Sequence, residues 1–228
     1  MKKVVIASNM LNEVDQVEAW VENFRPIADG GMIVVDGGSK DGTIDILEKL
    51  GVIVIVNNII QEEGYGPARN HLRHLAKKHF PDSSWVAYFD ADERIDPEER
   101  HMFRFIKDYL IDAYDVVGFP RIDWMDLERT KAANDWRIAP DWQARMTRLS
   151  STLYYIRRLH EQLADFKKIY TSLRAPKINH FHRSASQAKR DLVGKVCAML
   201  HQKDEWGKTY PSHPKEAYYR ELLEKEGL

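Results

Sequence analysis

Short apolar runs alternate with amphipathic segments along the first half of the chain. Consecutive apolar residues predict buried strands, whereas apolar residues at helical spacing predict helices that bury one face. Strands are therefore predicted at Val4–Ala7, Met32–Val35, Val52–Val56 and Trp85–Phe89. The helices between them are predicted from the apolar sets Val14, Val17, Trp20, Val21 and Phe24, then Ile44, Leu47 and Leu50, then Leu72, Leu75, Ala76 and Phe80. This serial alternation predicts a mostly parallel sheet with helices on both faces.

A further helix is predicted after the fourth strand from the residues at its start. Asp96, Pro97 and Glu99 fit an N-cap, a first-turn proline and a capping-box acid. The helix should then run to about Leu110, where its apolar spacing ends.

The second half of the chain has a different pattern, because strands are predicted there without long helices between them. Residues 126–142 show no clear period and predict an irregular loop over a site. We expect an α/β fold with a Rossmann-like first half, a mixed second half and C-terminal helices. The predicted elements are strands at 116–124, 144–149 and 153–156 and helices at 185–203 and after Pro214.

Composition narrows the class of protein. Hydrophobic residues make up 43% and charged residues 30%, which is typical of a globular domain. A formal net charge of -1 argues against nucleic acid or an anionic membrane as a general partner. A local basic face stays open, built from Arg183, Lys189, Arg190 and Lys195.

The location is predicted from cysteine content and hydropathy. The single cysteine, Cys197, excludes an internal disulfide and agrees with a reducing, cytoplasmic compartment. No window approaches the roughly 18 apolar residues that span a bilayer, so at most peripheral membrane contact is expected.

Two acidic residues, Asp90 and Asp92, directly follow the predicted strand Trp85–Phe89. Residues two apart on an extended segment share a face, so both carboxylates can point to one spot. Ligands of open α/β sheets bind at that place, outside the carboxyl ends of the strands. Carboxylates gathered there, with Glu93 as a third, repel one another unless a hard cation such as Mg²⁺ or Mn²⁺ neutralises them. A polar loop with solvated acids explains the same residues, so the motif alone leaves both readings open.

A second polar segment, residues 36–43, lies between a predicted strand and the following helix. Its glycines permit close backbone approach, and the N–H groups at the start of the helix can meet an anion. A tight turn capped by Ser39 or Asp41 explains most of these residues equally well. Asp36 differs, because an acid directly after an apolar strand is available to a ligand.

These segments resemble the inverting family 2 glycosyltransferases of the GT-A fold, particularly the small bacterial type of lipopolysaccharide-core and related glycan synthesis. The order and spacing of the motifs agree over about residues 3–165, whereas the likeness is weak beyond about residue 185. The resemblance implies one GT-A domain, with a nucleotide-sugar-binding half at 1–115, an acceptor half at 116–184 and a helical extension at 185–228. The matching motifs are Asn12-Glu13, Val35-Asp36-Gly37-Gly38-Ser39-Lys40-Asp41-Gly42-Thr43, Gly66-Pro67-Ala68-Arg69-Asn70, Tyr88-Phe89-Asp90-Ala91-Asp92-Glu93 and His160-Glu161.

The resemblance implies a donor pocket for a nucleoside-diphosphate sugar, most often a UDP-sugar. Asp36 would accept a hydrogen bond from the base, with Asn9 and Glu13 near the same pocket. Arg69 would lie close to the diphosphate. An acceptor hydroxyl, from a glycan, a lipid-linked glycan, a protein or a modified nucleic acid, would receive the sugar with inversion.

The resemblance also implies a bound Mn²⁺ or Mg²⁺. Asp90 would touch the ribose or the metal, and Asp92 would be the direct metal ligand. The metal would neutralise the charge that grows on the departing nucleoside diphosphate. His182 is the candidate for a C-terminal histidine ligand, and His180 shares a face with it on an extended segment.

Inverting transfer needs a base that takes the proton of the acceptor hydroxyl. Glu161, in the matching His-Glu pair, is the predicted base, and Asp141 is the alternative. A surface acid paired with Arg157 or Arg158 would explain Glu161 without a catalytic role. The tryptophans at positions 124, 136 and 142 fit either a sugar-stacking wall or the core.

Other classes fit the residues less well. The turn after the first strand lacks the Gly-X-Gly-X-X-Gly of nicotinamide enzymes, and no P-loop motif is present. A sugar-phosphate nucleotidyltransferase would want a Gly-rich, Arg-containing loop there, which is missing. A GT-A-like module that binds a glycan or nucleotide sugar without turnover remains the non-enzyme alternative, and the oligomeric state is not predicted.

Overall fold

The structure, a computed structural model, describes residues 2–110, 113–133 and 140–181, together with Asp191 and Gly194. The helices in these ranges are α1 (Val14–Phe24), α2 (Thr43–Lys49), α3 (Ile59–Glu63), α4 (Tyr65–His79) and α5 (Arg100–Tyr109), and short 3₁₀ turns occupy Arg25–Ile27 and Pro97–Glu99. The strands are β1 (Val4–Met10), β2 (Gly31–Asp36), β3 (Ile53–Val56), β4 (Trp85–Tyr88), β5 (Glu93–Ile95), β6 (Val116–Asp123), β7 (Asp141–Arg148), β8 (Tyr154–Ile156), β9 (Gln162–Ala164), β10 (Ile169–Thr171) and β11 (Ile178–His180).

The main sheet has the strand order β3-β2-β1-β4-β7-β6-β11-β5, and β10 also pairs with β6. Strands β1 to β4 are mutually parallel, whereas β7 is antiparallel to both β4 and β6. The order reverses between β1 and β4, because the chain moves from β1 outward to β3 and then returns to the other side of β1. Ligands of open α/β sheets bind outside the carboxyl ends of the strands at such a reversal.

Apolar cores cover both faces of this sheet. One core contains Trp20 and Phe24 of α1 and Phe103 of α5, whereas the other contains Leu72 and Leu75 of α4. Each of the strands β1 to β4 contributes to both cores, because successive side chains point to opposite faces. In β1, for example, the two sets are Val4 with Ile6 and Val5 with Ala7. The predicted α/β class, with a mostly parallel sheet covered on both faces, is confirmed.

The helix predicted after β4 is confirmed, with Asp96 at the N-cap position and Pro97 in the first turn, but its predicted side-chain capping bonds are not formed. Asp96 makes no side-chain capping bond, and its Oδ1 accepts instead from Arg129 Nη1 at 2.5 Å. Glu99 Oε2 accepts from the backbone N–H of Lys177 at 2.7 Å, so it is not a capping-box acid. A 3₁₀ turn precedes α5, and the preceding residues 93–95 form the unpredicted strand β5.

In the second half the predicted strands are confirmed as β6, β7 and β8, with β7 beginning earlier, at Asp141. The short strands β9, β10 and β11 were not predicted, because three residues carry too little periodicity to be recognised. β4 and β7 pair directly, so one sheet joins the predicted halves 1–115 and 116–184, whose division stays a prediction. Trp136, Cys197 and the predicted basic face lie outside the described residues, as do both predicted C-terminal helices except for Asp191 and Gly194, which are helical. No helix in the described ranges is long and apolar enough to cross a bilayer.

Candidate active site

The loops after β1 and β2 form one hydrogen-bonded unit at the carboxyl edge of the sheet. The backbone N–H of Asn12 donates to Ser39 Oγ at 2.7 Å, and Asn12 Oδ1 accepts from the N–H of Lys40 at 2.9 Å. The N–H of Glu13 donates to Thr43 Oγ1 at 2.8 Å. Glu13 therefore lies next to the 36–43 loop, and its place in a donor pocket stays a prediction.

Asp36 is fully buried and organises the loop that follows it. Its Oδ1 accepts from the N–H groups of Gly38 and Ser39 at 2.8 and 2.7 Å, and its Oδ2 accepts from Ser39 Oγ at 2.7 Å. Gly38 has a φ of +94°, which favours glycine at this turn. The turn explanation of this segment therefore holds for Asp36 too, and its contact with a donor base stays a prediction.

Asn9 presents an unsatisfied acceptor at the same edge. It pairs with Val35 in the β1–β2 ladder, one position before Asp36. Its Oδ1 is buried and has no hydrogen-bond partner among the described residues. A buried polar atom without a partner costs free energy, so an incoming donor group would find a ready acceptor here.

Asp90 and Glu93, in the turn after β4, are joined by Arg145. Its Nη2 donates to Asp90 Oδ2 at 2.6 Å and to Glu93 Oε1 at 2.5 Å. Glu93 is completely buried, and its Oε2 accepts from the N–H of Asp90 at 2.9 Å. Arg145 reaches the turn because the antiparallel pairing of β4 and β7 places Met146 opposite Ala87, so that Arg145 lies towards the carboxyl end of β4. Glu93 therefore has a structural partner, which the sequence did not predict.

Arg69 and Glu161 meet on the other side of Asp90. Arg69 Nε donates to Glu161 Oε1 at 2.6 Å, and Arg69 Nη2 lies 3.7 Å from Asp90 Oδ1. The guanidinium is buried and lies over the rings of Tyr88 and Tyr155, at 5.3 and 5.9 Å from their centroids. Glu161 thus pairs with a helix residue at the site, so it is more than a surface acid bound to its neighbours Arg157 and Arg158.

Burial and the neighbouring charges together shift the pKa values of Asp90 and Glu93 in opposite directions. Burial disfavours the charged form of Asp90, but Arg145 and Arg69 outweigh it and lower the pKa of Asp90. For Glu93 burial dominates over Arg145 and raises the pKa. Asp90 is therefore held as a carboxylate between two buried guanidinium groups.

Asp92 lies beside His180. His180 Nε2 is 3.5 Å from Asp92 Oδ2, and His180 Nδ1 is 2.6 Å from Asp123 Oδ1. Burial lowers the pKa of His180, but the hydrogen bond to Asp123 and the contacts with Asp92 raise it to about 10. The strand ladder explains this meeting, because β11 lies between β5 and β6 and places His180 opposite Asp123.

The alternative base, Asp141, is paired at the far end of β7. Its Oδ2 accepts from Arg121 at 2.7 Å and its Oδ1 from Gln143 Nε2 at 2.8 Å. Of the tryptophans, Trp124 donates to Asn179 Oδ1 at 2.8 Å, whereas Trp142 is 37% exposed. Trp142 therefore keeps exposed surface that a sugar-stacking role requires.

The acidic turn itself is fastened to α1 by Arg94. Its Nη1 donates to the carbonyl oxygens of Ala91 and Glu93, at 2.6 and 2.7 Å. Its Nη2 donates to the carbonyl oxygen and to Oε1 of Gln16, at 3.2 and 3.0 Å. The position of Asp92 is therefore set by contacts to a helix as well as by β4.

The fit of a divalent metal depends on Asp92. Within the described residues, no three histidine, cysteine, aspartate or glutamate side chains are grouped to hold a metal ion. Asp90 is already neutralised by arginines, so it is a poor direct ligand, whereas Asp92 is a hard oxygen donor at the edge. His182, the predicted histidine ligand, lies outside the described residues. The residues present fit a cation that takes most of its ligands from a diphosphate and water.

Three members of the site had no predicted role: Arg145, Asp123 and His180 in its contact with Asp123. The available signals were two arginines, Arg145 and Arg148, inside the strand predicted at 144–149 and an acid near the end of the strand predicted at 116–124. Their partners could not be chosen, because each lies more than fifty residues away in the chain.

A family model for glycosyl transferase family 2 matches residues 31–196, well over half of the chain. The chain belongs to glycosyl transferase family 2. The match includes the 36–43 loop, Arg69, the acidic turn and Glu161, whereas Asn9 and Glu13 lie before it. The lipopolysaccharide-core type is not distinguished by this match. A comparison with curated proteins finds no match.

Solved structures share the fold of this family 2 chain at low sequence identity. TarS of S. aureus is 15% identical with a TM-score of 0.50, over 98% of this chain and 42% of TarS. Glucosyl-3-phosphoglycerate synthase of Mycobacterium tuberculosis was solved with Mn²⁺, UDP and glucosyl-3-phosphoglycerate. It is 19% identical with a TM-score of 0.41, over 60% of this chain and 46% of the synthase. Mannosyl-3-phosphoglycerate synthase of Rubrobacter xylanophilus is 19% identical with a TM-score of 0.41, over 53% of this chain and 40% of the synthase. The chain spans less than half the length of each.

Proposed function

We propose that this chain transfers a sugar from a nucleoside-diphosphate donor, with UDP as the favoured nucleotide, to an acceptor hydroxyl with inversion. Family membership supports glycosyl transfer. The observation that carries the reaction itself is the Arg69–Glu161 pair beside Asp90 and Asp92 at the reversal between β1 and β4. This arrangement places cations, carboxylates and an acceptor-side acid at the edge where α/β sheets bind ligands.

The donor nucleotide is proposed to lie over the carboxyl ends of β1 and β2. Asn9 supplies a buried acceptor there, Asp36 shapes the loop that would surround the base, and Glu13 borders the same pocket. The diphosphate would extend towards the acidic turn, where Arg69 and Arg145 supply positive charge. Preorganised charges of this kind stabilise a transition state without reorganisation.

A divalent cation, Mn²⁺ or Mg²⁺, is proposed to bind between Asp92 and the diphosphate, with His182 as a further candidate ligand. When bound, it would stabilise the negative charge of the leaving nucleoside diphosphate. Asp90 would contribute by holding Arg145 and Arg69 beside the phosphates. A cytoplasmic location and a glycan or other hydroxyl acceptor remain predictions.

Glu161 is proposed as the base that takes the proton of the acceptor hydroxyl. Its carboxylate is anchored by Arg69 through Oε1, which fixes its orientation beside the donor site. Asp141 is held by Arg121 and Gln143 at the other end of β7. The geometry therefore favours Glu161, since a general base must lie within hydrogen-bond reach of the reacting hydroxyl.

The proposal is tested by titration calorimetry of the full chain with UDP, with and without Mn²⁺, and by hydrolysis of a UDP-sugar panel. We expect metal-dependent binding and slow release of UDP, because water can replace the acceptor. Asp92→Ala should lose both metal-dependent signals while its circular dichroism and unfolding curve stay those of the wild type. The proposal is overturned if no nucleoside diphosphate binds metal-dependently, or if Asp92→Ala keeps full activity. Binding without any hydrolysis or transfer would indicate a binding module instead.

A further inference from the structure

The first turn of α4 is hydrogen-bonded to the backbone just before Glu161. The N–H of Tyr65 donates to the carbonyl oxygen of Arg158 at 2.7 Å, and the N–H of Gly66 donates to that of Arg157 at 3.1 Å. Because the first N–H groups of a helix have no partner within it, these bonds satisfy α4 and fix the loop at once. The backbone of this loop is therefore hydrogen-bonded to the start of α4.

Asn70, one turn further along α4, holds the same segment through its side chain. Its Nδ2 donates to the carbonyl oxygen of Tyr155 at 2.8 Å, and its Oδ1 accepts from the N–H of Tyr155 at 2.7 Å. One amide therefore pairs with both backbone groups of one residue. The adjacent Arg69 bonds Glu161 itself, so three successive contacts of α4 follow the segment from residue 155 to residue 161.

The two glycines in this turn permit the close approach. A Cβ atom at Gly64 would lie 2.5 Å from the carbonyl oxygen of Arg158, and one at Gly66 would lie 2.4 Å from that of Arg157. Distances this short force the backbone of the loop to move. The space between α4 and the loop therefore admits only glycine at these two positions.

The loop before Glu161 needs external support. Arg157 and His160 have φ values of +75° and +53°, a region that non-glycine residues rarely adopt. Such conformations cost of order 1–3 kcal/mol each and persist only when the surroundings impose them. The hydrogen bonds from α4 to residues 157, 158 and 161 supply that restraint.

We propose that residues 64–70 act as a clasp whose task is to position Glu161 for proton transfer, with Asn70 as a positioning residue. This inference rests on the proposed function, in which Glu161 is the acceptor-side base. It assigns the Gly66–Asn70 motif to the acceptor acid, although the resemblance placed Arg69 with the donor diphosphate. Loss of the clasp should then affect the chemical step and leave donor binding intact.

The test compares Asn70→Ala with the wild type and with Asn58→Ala, an exposed asparagine whose side chain bonds Glu62 in its own helix. We measure metal-dependent UDP binding, kcat and KM for hydrolysis of the UDP-sugar that the wild type cleaves fastest, and hydrogen exchange of residues 155–161. For Asn70→Ala we expect faster exchange in this segment and a kcat about tenfold to about 100-fold lower, because a small misplacement of a catalytic group costs that much. UDP affinity and KM should stay unchanged, and Asn58→Ala should match the wild type.

Two further variants keep the inference testable if Asn70→Ala does not fold. Asn70→Asp keeps the acceptor for the Tyr155 N–H but loses the donor, so its effects should be intermediate. Gly66→Ala should move the loop by steric contact and lower kcat in the same way. Equal losses of UDP binding and kcat, or unchanged exchange at 155–161 in every folded variant, would overturn the clasp. If the wild type binds no nucleoside diphosphate, the proposed function fails. If the variants keep both the UDP affinity and the kcat of the wild type, the clasp is overturned and the proposed function is not.

Discussion

Arg145 Nη2 donates to Glu93 Oε1 at 2.5 Å, and both side chains are buried. The pair joins the second half of the chain to the acidic turn after β4, because Arg145 lies on β7 and Glu93 begins β5. Asp90 shares the same guanidinium nitrogen. The position of the candidate donor site therefore depends on an ion pair that crosses the two halves of the sheet.

Removing the guanidinium should destabilise the fold strongly. Arg145→Met leaves the Glu93 carboxylate buried without its partner, and breaking a buried pair in this way costs about 3–5 kcal/mol. The free energy of unfolding in urea measures the loss. Arg104→Met, at an exposed arginine of α5 that donates to the carbonyl oxygen of Pro26, should change it by less than about 0.5 kcal/mol. Equal stability of the two variants would contradict the structural role of Arg145.

The proposed base is tested by Glu161→Gln, which keeps the size of the side chain and removes its basicity. We expect kcat for UDP-sugar hydrolysis to fall by about 10²- to 10⁴-fold, the usual contribution of a positioned general base. UDP affinity, measured by calorimetry, should be retained. Glu22→Gln, on the exposed face of α1, is the control. Should Asp141→Asn abolish hydrolysis while Glu161→Gln does not, the base is Asp141.

Gly64 should tolerate a side chain less well than Gly38. Both have positive φ, +102° at Gly64 and +94° at Gly38, but a Cβ at Gly64 meets the backbone of Arg158, whereas one at Gly38 meets nothing within 4 Å. Gly38→Ala should therefore lower the unfolding free energy by about 1–2 kcal/mol from backbone strain alone. Gly64→Ala should lower it by at least about 3 kcal/mol, because strain and overlap add. Thermal or urea unfolding measures the free energy of unfolding of both variants. Equal losses would show that the loop at Arg158 moves aside to accommodate the Cβ atom.

Replacing Asn9 should affect the free energy of unfolding and the affinity for UDP differently. Asn9→Ala removes an acceptor that has no partner among the described residues, so the free energy of unfolding should stay the same or rise. If this acceptor meets the donor nucleotide, UDP should bind about two- to tenfold more weakly, the value of one ordinary hydrogen bond. Calorimetry and urea unfolding of the same sample measure both. Unchanged UDP affinity would remove Asn9 from the donor pocket.

Strands β1 to β4 and helices α1, α2, α4 and α5 follow from the sequence, because they depend on the spacing of neighbouring apolar residues, whereas the short α3 and β5 were not predicted. Val17, Trp20 and Phe24 recur at helical intervals and form the buried face of α1. The cap at Asp96 failed for a tertiary reason, since Arg129 binds that carboxylate instead. Local preference is overruled wherever a distant charge competes for the same group.

The sequence by itself determined that acids would stand at the carboxyl ends of β2 and β4, since strand ends and residue alternation are local properties. Only the tertiary structure decided their partners. Arg69 pairs with Glu161, which is 92 residues away in the chain, and Arg145 pairs with Asp90, which is 55 residues away. These residues meet only when the order and pairing of the strands are set. Charge attraction acts through space, so the pairing of these groups follows from the order of strands in the sheet and not from their order along the chain.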